Sequence, residues 1–206
     1  MNKWLIGLII AAVVLPLLIF IGNLKVDVPE GGQTITKEPV QQDESIQSAA
    51  AGENFPAAPE LVGIAGWINS GPLKLADLRG KVVLVDIWTY TCINCIRTLP
   101  YINSWYDKYS DKGLVIIGVH SPEFDFEKDS NNVKSAVEKY GIKYPVALDN
   151  DHATWAAFRN NFWPRKYLID IDGKIRYDHI GEGGYDETEK KIQQLLQERA
   201  EKMLQN

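Results

Sequence analysis

The run Val82-Val83-Leu84-Val85-Asp86-Ile87-Trp88 restricts this chain more than any other stretch of it. Apolar, mostly β-branched residues follow one another without alternation. That is the pattern of a central strand buried on both faces, not of a half-exposed strand or an amphipathic helix. Such a strand needs neighbours along both edges and a covering layer on each face, so it commits the surrounding chain to a layered α/β sheet. Leu114 to Val119 repeats the pattern and predicts a second buried strand. Between the two, the residues from Cys92 to Tyr109 read as a helix.

The rest of the chain fills in the layers. Gly66-Trp67-Ile68-Asn69 and Leu73-Lys74-Leu75, on either side of Ser70-Gly71-Pro72, read as a hairpin. Asp77-Leu78-Arg79-Gly80 is expected as a short turn or helix. Asn131 to Tyr140 presents Val133, Ala136, Val137 and Tyr140 on one helical face. Tyr144 to Leu148 is expected as a short strand and His152 to Phe158 as a short helix. Arg165–Asp170 and Lys174–Ile180 flank Asp172-Gly173, a strong hairpin signal. Asp186 to Leu204 closes the domain as a helix with Ile192, Leu195, Leu196 and Met203 on its apolar stripe. The expectation is one domain over residues 54–206, a central mixed sheet with helices on both faces.

Two segments precede it. Trp4 to Gly22 carries no charge, and roughly 18 to 19 helical residues rise about 27 Å, close to the hydrocarbon thickness of a bilayer. Bulky Phe20 and Ile21 spoil a signal-peptidase site, and no cysteine lies just after the run to carry a lipid, the first being Cys92. Residues 1–24 are therefore expected as an uncleaved, single-pass anchor in the cytoplasmic membrane, with residues 4–22 in the bilayer. Lys3 before the run, against Lys25 offset by Asp27 and Glu30 after it, places the domain on the periplasmic or extracellular side. Residues 25–53 are polar and small and read as a flexible tether, with an end-to-end distance on the order of 30 Å.

The chemistry is expected at the cysteines. The chain has 2 of them, three positions apart. A Cys92–Cys95 bridge closes a tiny loop and removes little entropy from the unfolded chain, so stability does not explain it. Reactivity does. A helix N-terminus directs free N–H groups and partial positive charge at Cys92 and favours its thiolate. Cys95 lies one turn on along the same face and can resolve a mixed disulfide. Zinc would need two more ligands, and the 3 histidines, His120, His152 and His179, form no ligand pair. No metal and no cofactor is expected. With 22 basic against 27 acidic residues and no basic run, nothing favours nucleic acid. Asp86 is a carboxylate in an apolar strand, a costly placement that favours a function.

The stretch from Val83 to Pro100, containing Trp88-Thr89-Tyr90-Thr91-Cys92-Ile93-Asn94-Cys95, resembles the active-site segment of the thioredoxin superfamily. In detail it is similar to its TlpA-like and DipZ-like membrane-associated branch, over roughly Phe55 to Leu196. The resemblance implies a thioredoxin-like sheet with a TlpA-type strand-helix insertion between Val119 and Val146. It implies that Asp86 is the buried acid beneath the cysteines, that Pro100 is the proline within the helix, and that Pro164 is a cis-proline facing the disulfide. Trp163 and Trp88 are then expected to contact substrate beside Pro164. Thr98 departs from the glutamate many TlpA-like proteins carry there, so proton transfer falls to Asp86 or to Glu123. The expected function is a disulfide oxidoreductase that reduces disulfides of exported proteins, re-reduced by a separate membrane electron donor. A disulfide oxidase, a thiol peroxidase using Thr89-x-x-Cys92, and a non-catalytic binding module are the competing readings. Val85 stands where peroxiredoxins have proline.

Overall fold

The computed structural model describes residues 54–205. The expected anchor, residues 1–24, and the expected tether, residues 25–53, lie outside them. Among the described residues no helix is long and apolar enough to cross a membrane.

The elements follow in the order β1 (Gly66–Ile68), β2 (Val82–Trp88), α1 (Ile93–Tyr109), β3 (Leu114–His120), α2 (Ser130–Lys139), β4 (Val146–Leu148), α3 (Ala153–Ala157), β5 (Arg165–Ile169), β6 (Ile175–Ile180) and α4 (Tyr185–Leu204). The strands form one 6-stranded sheet in the order β1-β4-β3-β2-β5-β6. β2, β3 and β4 run parallel, and β1, β5 and β6 join antiparallel, so the sheet is mixed.

Every residue of β2 is buried, and the alternation of side chains splits the core in two. Val82, Leu84 and Trp88 meet Leu99, Ile102 and Trp105 of α1, Val133 and Val137 of α2, and Ile192 and Leu195 of α4. Val83, Val85 and Ile87 meet Leu61, Leu75 and Phe158, with Trp155 of α3 beside them. The two layers are unequal. Three long helices cover the first face, while the second is covered by the short α3 and by the irregular chain around Ala58–Leu78. Each of the fully buried Leu, Ile and Val side chains contributes about 1.5–3 kcal/mol relative to exposure.

The hairpin expected at Gly66–Leu75 does not form. β1 pairs with β4 instead, Gly66 opposite Leu148, and Leu75–Leu78 is a turn of 3-10 helix. Asn69 explains the choice. It adopts φ 65, and its Nδ2 donates to the carbonyls of Ile142 and Tyr144 at 2.9 and 3.1 Å, fastening β1 to the chain entering β4. The β5–β6 hairpin forms as expected. Asp170 Oδ1 accepts the N–H groups of Asp172 and Lys174 at 3.0 and 2.8 Å, and Gly173 takes the left-handed φ of 74 that the turn needs. The strand-helix addition sits where expected, with α2 between β3 and β4, and β4 is inserted between β3 and β1.

Candidate active site

β2 ends at Trp88, and after three intervening residues Cys92 caps α1. Cys92 is extended, with φ −68 and ψ 114, and its Sγ accepts the N–H of Cys95 at 3.4 Å. Both cysteines are free thiols; Cys92 is half-buried and Cys95 is buried. The two differ sharply in acidity. The Cys92 thiol is lowered to about 6, first by the hydrogen bond from the Cys95 thiol and then by the N–H groups of Cys95 and Asn94; these outweigh its burial and the nearby charge of Glu123. The Cys95 thiol is pushed far up, by burial and by donating a hydrogen bond to Cys92. The pair is therefore poised as a thiolate at the surface with a thiol beneath it.

Asp86 lies on the α1 side of β2 and is 1% exposed. Its register partners are Gly118 on β3 and Lys166 on β5. Burial raises the carboxyl to about 7; Lys166 pulls it back and Cys92 adds to the rise. Lys166 is itself lowered by burial and donates to the Gly181 carbonyl at 3.1 Å. Oδ1 of Asp86, the Tyr144 hydroxyl and Trp88 Nε1 have no hydrogen-bond partner among the described residues. A buried acid of that kind exchanges a proton near neutral pH.

Trp163–Pro164 is a cis peptide bond. The Trp163 carbonyl faces Cys92 Sγ at 4.0 Å, while the Pro164 carbonyl accepts the N–H of Gly181 at 2.8 Å. The Trp163 indole donates to the Ser121 carbonyl at 2.9 Å and packs on Trp155, ring centroids 4.3 Å apart. The carbonyl, not a freely placed ring, is thus what Trp163 presents to the thiol.

The expected substrate contact at Trp88 is corrected. Trp88 is 0% exposed and packs edge-on against His120 at 5.4 Å, so it supports the site from below and cannot touch a partner. Glu123 is exposed and acts on Cys92 as a nearby like charge that disfavours the thiolate. Thr98 Oγ1 donates to the Asn94 carbonyl at 2.9 Å, inside the helix. Lys166 and Glu127 were not singled out from the sequence. The only hint of Lys166 was its place in a short strand that is otherwise apolar after Arg165, and Glu127 gave no signal in the acidic run around Asp125. No group of three or more His, Cys, Asp or Glu side chains that could hold a metal occurs among the described residues.

A mixed sheet of this order, with a Cys-x-x-Cys pair opening the helix after its central strand, is the thioredoxin-like arrangement of a dithiol site. The chain belongs to the redoxin family, whose model matches residues 51–196. It is similar to the Protein DipZ of Mycobacterium bovis, 46% identical over 168 residues, covering 80% of this chain and 24% of DipZ. The chain thus spans about a quarter of that relative's length. It is also similar to the thiol-disulfide oxidoreductase YkuV of Bacillus subtilis, 31% identical over 140 residues, covering 68% of this chain and 94% of YkuV. A solved thioredoxin-like protein in the oxidised form overlays with TM-score 0.64 at 32% identity, over 70% of this chain and 97% of its own.

Proposed function

We propose that this chain is a membrane-tethered reductase of disulfides in exported proteins, with Cys92 as nucleophile, Cys95 as resolving thiol and Asp86 as the proton acceptor beneath them. The observation that carries the reading is the half-exposed Cys92 thiol lowered to about 6 over a buried, protonated Cys95. Cys92 thiolate attacks one sulfur of the partner's disulfide, and the partner's other sulfur leaves as a thiolate and takes a proton. Cys95 then passes its proton to Asp86 and attacks Cys92 Sγ, releasing the second partner thiol. The partner gains two electrons and the Cys92–Cys95 pair becomes a disulfide. The Trp163 carbonyl beside Cys92 is available to align an extended partner backbone, with Pro164 holding it there.

In this reading residues 1–24 anchor the chain in the cytoplasmic membrane, residues 25–53 are the tether, and residues 54–206 work on the outer side. A separate membrane electron donor re-reduces the pair. The acidity of Cys92 supports the reducing direction. A thiol near 6 lies closer to thioredoxin's roughly 7 than to the roughly 3.5 of the oxidant DsbA. The peroxidase reading is disfavoured because the Thr89 hydroxyl is committed to Glu127 and His120. A redox titration of the full chain against dithiol buffers tests the proposal. A midpoint near −270 mV is expected, and one near −120 mV would make the protein an oxidase instead.

A further inference from the structure

Glu127 takes no part in the exchange steps, yet it is among the most fully bonded side chains of the domain. It lies in the 3-10 turn Asp125–Lys128 that follows β3, and it is 0% exposed. One oxygen, Oε1, accepts the hydroxyls of Thr89 and Thr91, each at 2.6 Å. The other, Oε2, accepts the N–H groups of Glu123 and Phe124 at 2.6 and 2.9 Å. Burial by itself would raise this carboxyl, but the four donors hold it below its ordinary range, so it stays ionised. Burying an ionised carboxylate costs several kcal/mol before its partners are counted. Packing alone would be served as well by an apolar residue.

What the carboxylate grips is specific. Only Thr89, Tyr90 and Thr91 connect the end of β2 to Cys92, and Glu127 holds the first and the last of them. The middle residue, Tyr90, stacks on His120 with ring centroids 5.5 Å apart. Because the Thr89 hydroxyl gives its proton to Glu127, the contact of His120 Nε2 with it at 3.3 Å uses that oxygen as acceptor. His120 is then neutral and protonated on Nε2, as its burial also requires.

We propose that Glu127 is a positioning residue for disulfide exchange, clamping Thr89 and Thr91 so that Cys92 meets the α1 N-terminus in its thiolate-stabilising pose. This rests on the assignment of Cys92 as the nucleophile. Freed from the clamp, the loop lets Cys92 Sγ drift from the N–H of Cys95, and the bonds that favour the thiolate weaken.

The test uses the full chain with Thr91→Val, Thr91→Ser and Glu127→Gln. Glu127→Gln removes the negative charge that the four donors share, so the charge-assisted bonds of the clamp are weakened. Cys92 ionisation is followed by thiolate absorbance and by iodoacetamide alkylation, with Tm measured alongside. Thr91→Val and Glu127→Gln should move the Cys92 midpoint from about 6 toward the roughly 8.5 of an unperturbed thiol. A midpoint of about 7 would slow alkylation at pH 6 about fivefold, by the fall in thiolate fraction. Thr91→Ser, which keeps the hydroxyl, should retain the wild-type midpoint. An unchanged midpoint in Thr91→Val, whatever happens to Tm, overturns the proposal, as does a Thr91→Ser chain that titrates like Thr91→Val. If Glu127→Gln does not fold, the two threonine variants decide. A wild-type Cys92 that titrates near 8.5 overturns the nucleophile assignment itself, a result distinct from failure of the clamp.

Discussion

Cys92 and Cys95 share a chemistry but not an environment, and the difference assigns their roles. The residue that caps α1 is reachable and acidic, and the one a turn below is neither. Cys92→Ser should abolish exchange, and Cys95→Ser should accumulate mixed disulfides on non-reducing gels. Labelling of Cys95 before Cys92 at limiting reagent would reverse the assignment. Asp86 contributes its own pH dependence to stability. Its folded-state pKa is raised from the usual 3.8 to about 7, so the folded chain binds this proton more tightly than the unfolded chain does. The stability this provides is complete below about pH 4 and is lost as pH rises through about 7. Lys166 tempers the loss, which is a few kcal/mol at most. Asp86→Asn should remove that slope and be more stable than wild type at pH 8, while resolving mixed disulfides more slowly. Denaturant titrations of both chains from pH 4 to 8 check the first outcome. Parallel slopes would mean that Asp86 is ionised throughout. Of the two side chains that tune this acid, Cys92 was legible in the sequence and Lys166 was not, because Lys166 meets Asp86 only through the register of β5 on β2.

Strand β3 shows how closely the elements are fitted around that acid. A Cβ built on Gly118, the register partner of Asp86, would lie 3.0 Å from Trp88 Nε1 and 3.1 Å from the Tyr144 ring. Both rings are fully buried and have no room to retreat. Gly118→Ala should therefore cost about 1–3 kcal/mol by overpacking, read as a lower urea midpoint with an unchanged m-value. A midpoint equal to wild type would show that the rings yield without cost. Among elements, β2, α1, α4 and the β5–β6 hairpin were legible because each has a long run, a stripe or a turn dipeptide of its own. β1 was not. Three residues long, it has too little pattern to name a partner, and the Asn69 bonds to the chain before β4 decided the pairing.

At the scale of the whole molecule, the proposal joins the redox domain to a membrane through residues 25–53. Full-length chain should remain with membranes after carbonate washing, and a chain starting at Asn54 should be recovered in the supernatant. A mature chain beginning near Asn23 would show cleavage and remove the anchor. The sequence by itself determined the layered α/β class, the central strand, the cysteine pair and its resemblance to the thioredoxin superfamily. Those rest on local pattern, on residues adjacent in the chain whose period or spacing carries the message. Only the tertiary structure decided which buried groups answer that pair. Thr91 and Thr89 meet Glu127 across 36 and 38 positions. The Cys92 thiol and the Trp163 carbonyl lie 71 apart in the chain. Trp88 proved to be core rather than surface because β3 and α1 close over it. Contacts between distant segments depend on how strands are ordered and helices laid, and no local period encodes that.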